Sequence, residues 1–152
     1  MLGGPAGGHN RFVSEIPAPV TPARSASELA VVAVVSVGGM IGALLRYQTG
    51  ILLPDRDDRI PWTTFGINVI GCFALGMLVV LVTERGPVNR LVRPFLGTGV
   101  LGGFTTFSSF SLDTIVMIER GEWLLAGTYV LLSVVVCLIG LYLGLLVTRG
   151  VA

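Results

Sequence analysis

Residues 97 to 113, GTGVLGGFTTFSSFSLD, combine a Gly-Gly pair, a run of hydroxyl side chains and three Phe inside a stretch that otherwise reads as a membrane-crossing helix. Their chemistry is that of ion coordination. Thr105 and Thr106 offer hydroxyls, and they expose backbone carbonyls where the Gly102-Gly103 pair weakens the helical ladder. Backbone carbonyls at a helix break are a recurrent way to hold a dehydrated Na+. Phe107 and Phe110 lie three residues apart and share a face. Such a pair packs, or it turns its ring edges, which carry positive partial charge, toward an anion. Asp113 follows one turn later, placed to bond to backbone, to meet Arg46 or to face water.

The elements that must position these groups are membrane helices. Of 152 residues, 53% are hydrophobic and 12% charged, and the mean hydropathy is +0.84; a soluble domain carries about a quarter charged residues. A span needs about 20 mostly apolar residues. Four stretches qualify, at about 29–53, 62–82, 91–118 and 123–147. Short connections hold most of the charge, which leaves no room for a soluble catalytic domain, and no enzymatic activity is expected. In hydrocarbon every backbone N–H and C=O must be paired, so an interrupted helix persists only where protein buries it or water and ions reach it.

The first 27 residues are rich in Gly, Pro, Ser and Ala and are expected to form a disordered tail ahead of a four-helix unit over 28–149. They carry His9, the single histidine, which has no companion ligand type and is read as incidental. Cys72 and Cys137 fall within spans and are read as small packing residues rather than a disulfide. All ten basic residues are Arg. Arg11, Arg24, Arg85, Arg90, Arg93 and Arg149 lie on one side against Arg56, Arg59 and Arg120 on the other, which favours a cytoplasmic N-terminus by a margin small enough to permit insertion both ways.

Each span carries residues that lipid would not select. The first has Gly38, Gly39, Gly42 and Ala43 at helical spacing, a smooth stripe for close packing. Arg46 follows, either snorkelling to headgroups or held in an organised internal role. The second places Thr64, Asn68 and Gly71 on one face. A buried Asn68 cross-links helices, or its amide N–H groups replace water around an anion. The fourth carries Tyr129, Ser133 and Cys137 at steps of four, a polar line that serves as interhelical glue or as part of a path.

With those residues in view, the chain resembles the Fluc (CrcB) fluoride channels. The resemblance covers roughly Ser36 to Gly144 and rests on GGMIGALLRY at 38–47, TTFGINVIGCFALG at 63–76 and GTGVLGGFTTFSSFSLDT at 97–114. It implies an all-α integral membrane subunit of four transmembrane helices, the third broken at mid-membrane, assembled as an antiparallel, dual-topology homodimer with two pores. It implies passive export of fluoride across the cell membrane and resistance to that ion. On the same pattern, carbonyls of Gly102 and Thr105 hold a central structural Na+, while Phe107, Phe110, Asn68, Thr64, Tyr129 and Ser133 line the fluoride path. Arg46, Thr106, Ser109 and Asp113 take supporting places around the pore and its vestibule. Lipid is the other expected partner, and no nucleic-acid partner is expected. Cys137 stands where many relatives carry a hydroxyl or a small residue, and Ser109 replaces the usual Thr. Two other functions compete: a small proton-coupled multidrug or cation exporter, which needs a titratable carboxylate deep in a span, and a non-transporting membrane scaffold.

Overall fold

A computed structural model describes residues 26–55, 59–84 and 89–151. The expected tail with His9, Arg11 and Arg24 lies almost wholly outside the described residues, as do Arg56 and Arg85. The chain folds into helices α1 (Ala26–Leu52), α2 (Trp62–Thr83), α3 (Arg93–Leu101), α4 (Gly102–Phe104), α5 (Phe107–Glu119) and α6 (Trp123–Gly150). Segments α3 to α5 make up the third apolar crossing, and among the described residues four helical stretches are long and apolar enough to cross a membrane: Ser27–Leu52, Trp62–Thr83, Arg93–Glu119 and Trp123–Gly150.

Local chemistry sets the helix ends. Pro54 and Pro61 bracket the first connection, where a helix cannot continue. Across that connection the Asp55 carboxylate accepts from the Thr63 backbone N–H and hydroxyl, both at 3.0 Å, and so caps the first turn of α2. The α5–α6 turn is a Schellman motif. Glu122 N–H donates to Met117 C=O at 3.0 Å and Gly121 N–H to Ile118 C=O at 2.9 Å, with Gly121 at φ +78°, a left-handed conformation that glycine adopts without strain.

The third crossing departs from a plain α-helix in two ways. Over Arg93–Leu101 the backbone winds as a π-helix, a form seldom longer than one turn. Pro94 contributes no N–H, Gly97 and Gly99 add no side-chain bulk, and the ladder ends with Gly102 N–H pointing at the carbonyls of both Gly97 and Gly99. The second departure is the break. Gly102-Gly103, expected from sequence to be the weak point, stay helical in α4, and the interruption falls at Thr105 (φ −72°, ψ 157°) and Thr106 (φ −148°, ψ 115°). Extended backbone suits β-branched threonine, and Gly103 serves close packing against α1 instead.

Packing pairs α1 with α3 and α4, and α2 with α6. Both pairs depend on backbone-to-backbone approach. A methyl on Gly103 would lie 2.5 Å from the Gly39 carbonyl oxygen, and one on Gly42 would overlap the Val100 carbonyl. On the other side, Gly76 faces the Leu141 carbonyl and Gly144 the Phe73 carbonyl, again with no room for a Cβ. In hydrocarbon, where apolar burial between helices gains little, such close approach is a main source of association. A small aromatic and aliphatic cluster of Phe110, Met117, Ala126 and Tyr129 joins α5 to α6. The outward faces of α1 and α6, with Leu44, Leu45, Leu124, Leu131 and Leu138, are exposed and apolar, as lipid-facing surfaces are.

Charge clusters at the helix ends. Arg149 Nη2 donates to Glu84 Oε1 at 2.6 Å and Nε to Oε1 at 3.0 Å, tying the last turn of α6 to the end of α2. At the opposite end Arg59 Nε lies 3.6 Å from Glu122 Oε1. The Arg149 guanidinium holds the Glu84 carboxyl below its ordinary value, mainly through the hydrogen bond. Because the folded value is depressed, the bond's contribution is present above the unfolded carboxyl value of about 4.3 and is lost as pH falls through the folded one.

Two outcomes follow from this packing. Gly144→Ala should lower the stability of the purified protein by about 1–3 kcal/mol through overpacking, measured by denaturant titration in detergent. Gly127→Ala, where a Cβ meets nothing within 4 Å, should leave it unchanged or slightly raised. For the surface pair, the melting-temperature gap between the unaltered protein and Glu84→Gln should hold from about pH 7 to about pH 5 and close below about pH 4; a gap that widened on acidification would contradict the assignment.

Candidate functional site

The break in the third crossing is built from α2. Asn68 presents its side-chain amide to Thr106 as a backbone would: Thr106 N–H donates to Asn68 Oδ1 at 2.8 Å, and Asn68 Nδ2 donates to Thr106 C=O at 3.0 Å. The residue with the most extended backbone in the crossing is thereby satisfied on both sides. Thr106 in turn caps α5, its hydroxyl oxygen accepting from Ser109 N–H at 3.1 Å and lying 3.0 Å from the Ser109 and 3.2 Å from the Ser108 hydroxyls.

These bonds redirect donors. In a continuous helix Thr106 N–H would serve the Gly102 carbonyl, and Ser109 N–H would serve the Thr105 carbonyl. The first goes to Asn68 and the second to the Thr106 hydroxyl. Gly102 and Thr105 thus lose the usual donors to their carbonyls. The Thr105 hydroxyl does not compensate, since it donates to Leu101 C=O at 3.0 Å.

Beside the break lies a cavity of about 320 Å³ between α2, the third crossing and α6, lined among others by Asn68, Gly102, Thr105, Thr106, Phe107, Phe110 and Ser133. No lining residue carries a formal charge. The Phe107 and Phe110 ring centroids are 5.5 Å apart at 42°, and Phe110 continues to Tyr129 at 5.4 Å and 36°. Phe107 is 80% exposed, whereas Phe110 is 8% and Tyr129 2% exposed. The Tyr129 and Ser133 hydroxyl oxygens are buried, face one another, and make no well-formed hydrogen bond among the described residues. Unmet buried hydroxyls are costly unless a ligand or water completes them.

The remaining candidates sit elsewhere. Thr64 lies against Asp113 rather than in the cavity, and one Asp113 carboxylate oxygen is buried without a partner. Asp113 does not pair with Arg46. Among the described residues Arg46 makes no ion pair or hydrogen bond and is partly exposed toward the end of α1. Ser109 is held by Thr106 and does not line the cavity. Asn68 cross-links α2 to the third crossing, with one of its amide hydrogens committed to backbone, and it also lines the cavity. Cys72 and Cys137, read from sequence as packing residues, both line the cavity; their spacing of four from Asn68 and Ser133 was the available signal.

Comparison with known proteins matches residues 33–145 to the family described as CrcB-like protein, Camphor Resistance (CrcB). A Nocardia farcinica protein named fluoride-specific ion channel FluC 2 is 47% identical over 115 residues, covering 76% of this chain and 82% of the relative. A Streptomyces avermitilis protein of the same name is 50% identical over 92 residues, 60% of this chain and 58% of the relative. The Agrobacterium fabrum fluoride-specific ion channel FluC is 43% identical over 120 residues, 78% of this chain and 96% of the relative.

Removing the amide bracket should open the break. Asn68→Ala leaves the Thr106 N–H and C=O unpaired and should lower stability by about 3 kcal/mol. Deuterium exchange in peptides covering residues 104–110 should accelerate while α1 is unaffected; equal exchange in both proteins would show that Asn68 does not hold the break.

Proposed function

The chain belongs to the CrcB-like family, and on that premise we propose that it is a passive, fluoride-selective ion channel. It is a multi-pass membrane protein and not an enzyme, its named relatives being ion channels. The observation that carries the proposal is the uncharged cavity lined by Phe107, Phe110 and the buried Ser133 hydroxyl, with the Tyr129 ring stacked behind Phe110.

Fluoride is small and strongly hydrated, so a path must replace its water with donors. A fixed cation would hold the ion too firmly for release. Hydroxyls, the remaining Asn68 N–H and the edges of Phe107 and Phe110 supply positive partial charge without a formal cation. The neutral acid enters from acidic surroundings, ionises in the neutral cytoplasm, and the trapped anion leaves through the channel down its gradient. A proton-exchanging exporter would want a carboxylate on the path; Asp113 lies off the cavity.

We further assign to the working channel two copies of the chain, inverted relative to one another, with two fluoride paths and a structural Na+ between them. The Gly102 and Thr105 carbonyls, deprived of their helical donors by Asn68 and Thr106, fit a hard monovalent cation that takes oxygen ligands, and the same pair from the second copy would complete the set. When bound, the ion supplies positive charge at the break and fixes the two crossings against each other. The chain's own contribution is to hold those carbonyls free.

Purified protein in liposomes should release fluoride and retain chloride; equal passage of both ions, or of neither, overturns the proposal. Phe107→Ile and Phe110→Ile should each lower fluoride efflux at least about tenfold, more than about 1.4 kcal/mol of barrier, while gel filtration shows the assembly unchanged. Unaltered efflux would remove the Phe pair from the path.

A further inference from the structure

Cys72 on α2 and Cys137 on α6 are the only two cysteines of the chain. Both are free and half-buried, and both line the same cavity. They stand on two helices that pack against one another and open into one cavity of about 320 Å³. Helix packing accounts for that nearness: α2 and α6 run together with Gly140 and Gly144 against α2, a Cβ on Gly140 lying 3.4 Å from the Val69 carbonyl oxygen.

The surroundings decide what such a pair can bind. The cavity lining offers no carboxylate, imidazole, amine or guanidinium, and among the described residues no group of three or more His, Cys, Asp and Glu converges. Two sulfurs with no third strong ligand do not suit zinc, which takes four ligands in structural sites. They suit a soft ion that takes two ligands in line, since thiolates select soft metals. Charge narrows the choice. In a low-dielectric cavity a charged adduct is heavily penalised, whereas a divalent ion that displaces one proton from each thiol leaves a neutral one.

We propose that Cys72 and Cys137 form a two-coordinate, dithiolate site for a soft divalent cation, with Hg2+ as its probe. Two S–H bonds are exchanged for two S–Hg bonds, two protons leave to solvent, and no atom changes oxidation state. The bound ion lies in the cavity beside Asn68 and Ser133. Its consequence for transport, obstruction of the fluoride path, rests on the function proposed above.

The test uses the purified full-length protein, equilibrated with Hg2+ in the presence of a monothiol competitor and passed through gel filtration. One Hg2+ per chain should be retained, with two protons released per ion and a thiolate-to-mercury absorption band. Cys72→Ser and Cys137→Ser should each weaken retention at least about a hundredfold, more than the loss of an outer-shell partner costs. Cys137→Ala provides a second variant should a serine disturb the fold. Zn2+ under the same conditions should wash out. Retention by a single-cysteine variant as firm as that of the unaltered protein, two ions per chain, or equal retention of Zn2+ would overturn the site. In liposomes, fluoride efflux should fall at least about tenfold with the ion bound and recover on adding dithiothreitol. One firmly bound Hg2+ with unchanged efflux would uphold the dithiolate site and overturn the cavity as the fluoride path.

Discussion

One hydrogen-bonding constraint organises this molecule. Inside a membrane, backbone N–H and C=O groups have no water to turn to, yet the third crossing leaves helical geometry at Thr105 and Thr106. The Asn68 amide resolves the conflict by acting as a short piece of backbone, meeting Thr106 on both its donor and its acceptor. Everything near the break depends on that bracket. It fixes the direction in which α5 departs, it leaves the Thr106 hydroxyl free to cap α5, and it draws donors away from the carbonyls of Gly102 and Thr105.

The bracket works only if α2 and the third crossing stand at a fixed distance, and glycines set the scale. Gly71 sits where a Cβ would collide with the Thr105 side chain, so the turn of α2 that follows Asn68 must be bare. Behind the break, α1 lies against α3 and α4 through Gly38, Gly42, Gly99 and Gly103, and α6 lies against α2 through Gly76 and Gly144. These contacts are backbone on backbone, with little side-chain freedom to absorb error. A cavity of about 320 Å³ with defined walls is the complement of such rigid seams.

Much of this was legible in the residues. Hydropathy marks four long apolar helices because a span has to be about 20 apolar residues and little else is, and the small-residue stripes announce the seams. Asn68, Thr106, Phe107, Phe110 and Ser133 stand out as side chains that lipid would not select. Glycine propensity points to a break at Gly102-Gly103, while tertiary pairing with Asn68 places it at Thr105 and Thr106. The π-winding of Arg93–Leu101 is not written in any motif of the sequence. Of the three places open to Asp113, pairing with Arg46 is not taken, because the two sit on different helices that do not bring them together. The cysteine pair was passed over because each thiol, taken singly, looks like packing.

Exposure around the aromatic pair argues that one chain supplies only part of the path. Phe110 is packed between Phe107 and Tyr129 and is 8% exposed, while Phe107, one turn away on the same helix, is 80% exposed. A ring that polarises a fluoride ion along its edge must stand in a walled passage, since an anion beside open hydrocarbon would forgo most of its stabilisation. Lipid tails offer no donor and cannot be that wall. A protein surface must provide it, and an inverted copy of the same chain would bring another Asn68, another Phe pair and another set of freed carbonyls to the seam. In the proposed assembly two copies would also relate the Gly102 and Thr105 carbonyls of each chain by symmetry, so that the break of the third crossing and the exposed ring of Phe107 would be completed together.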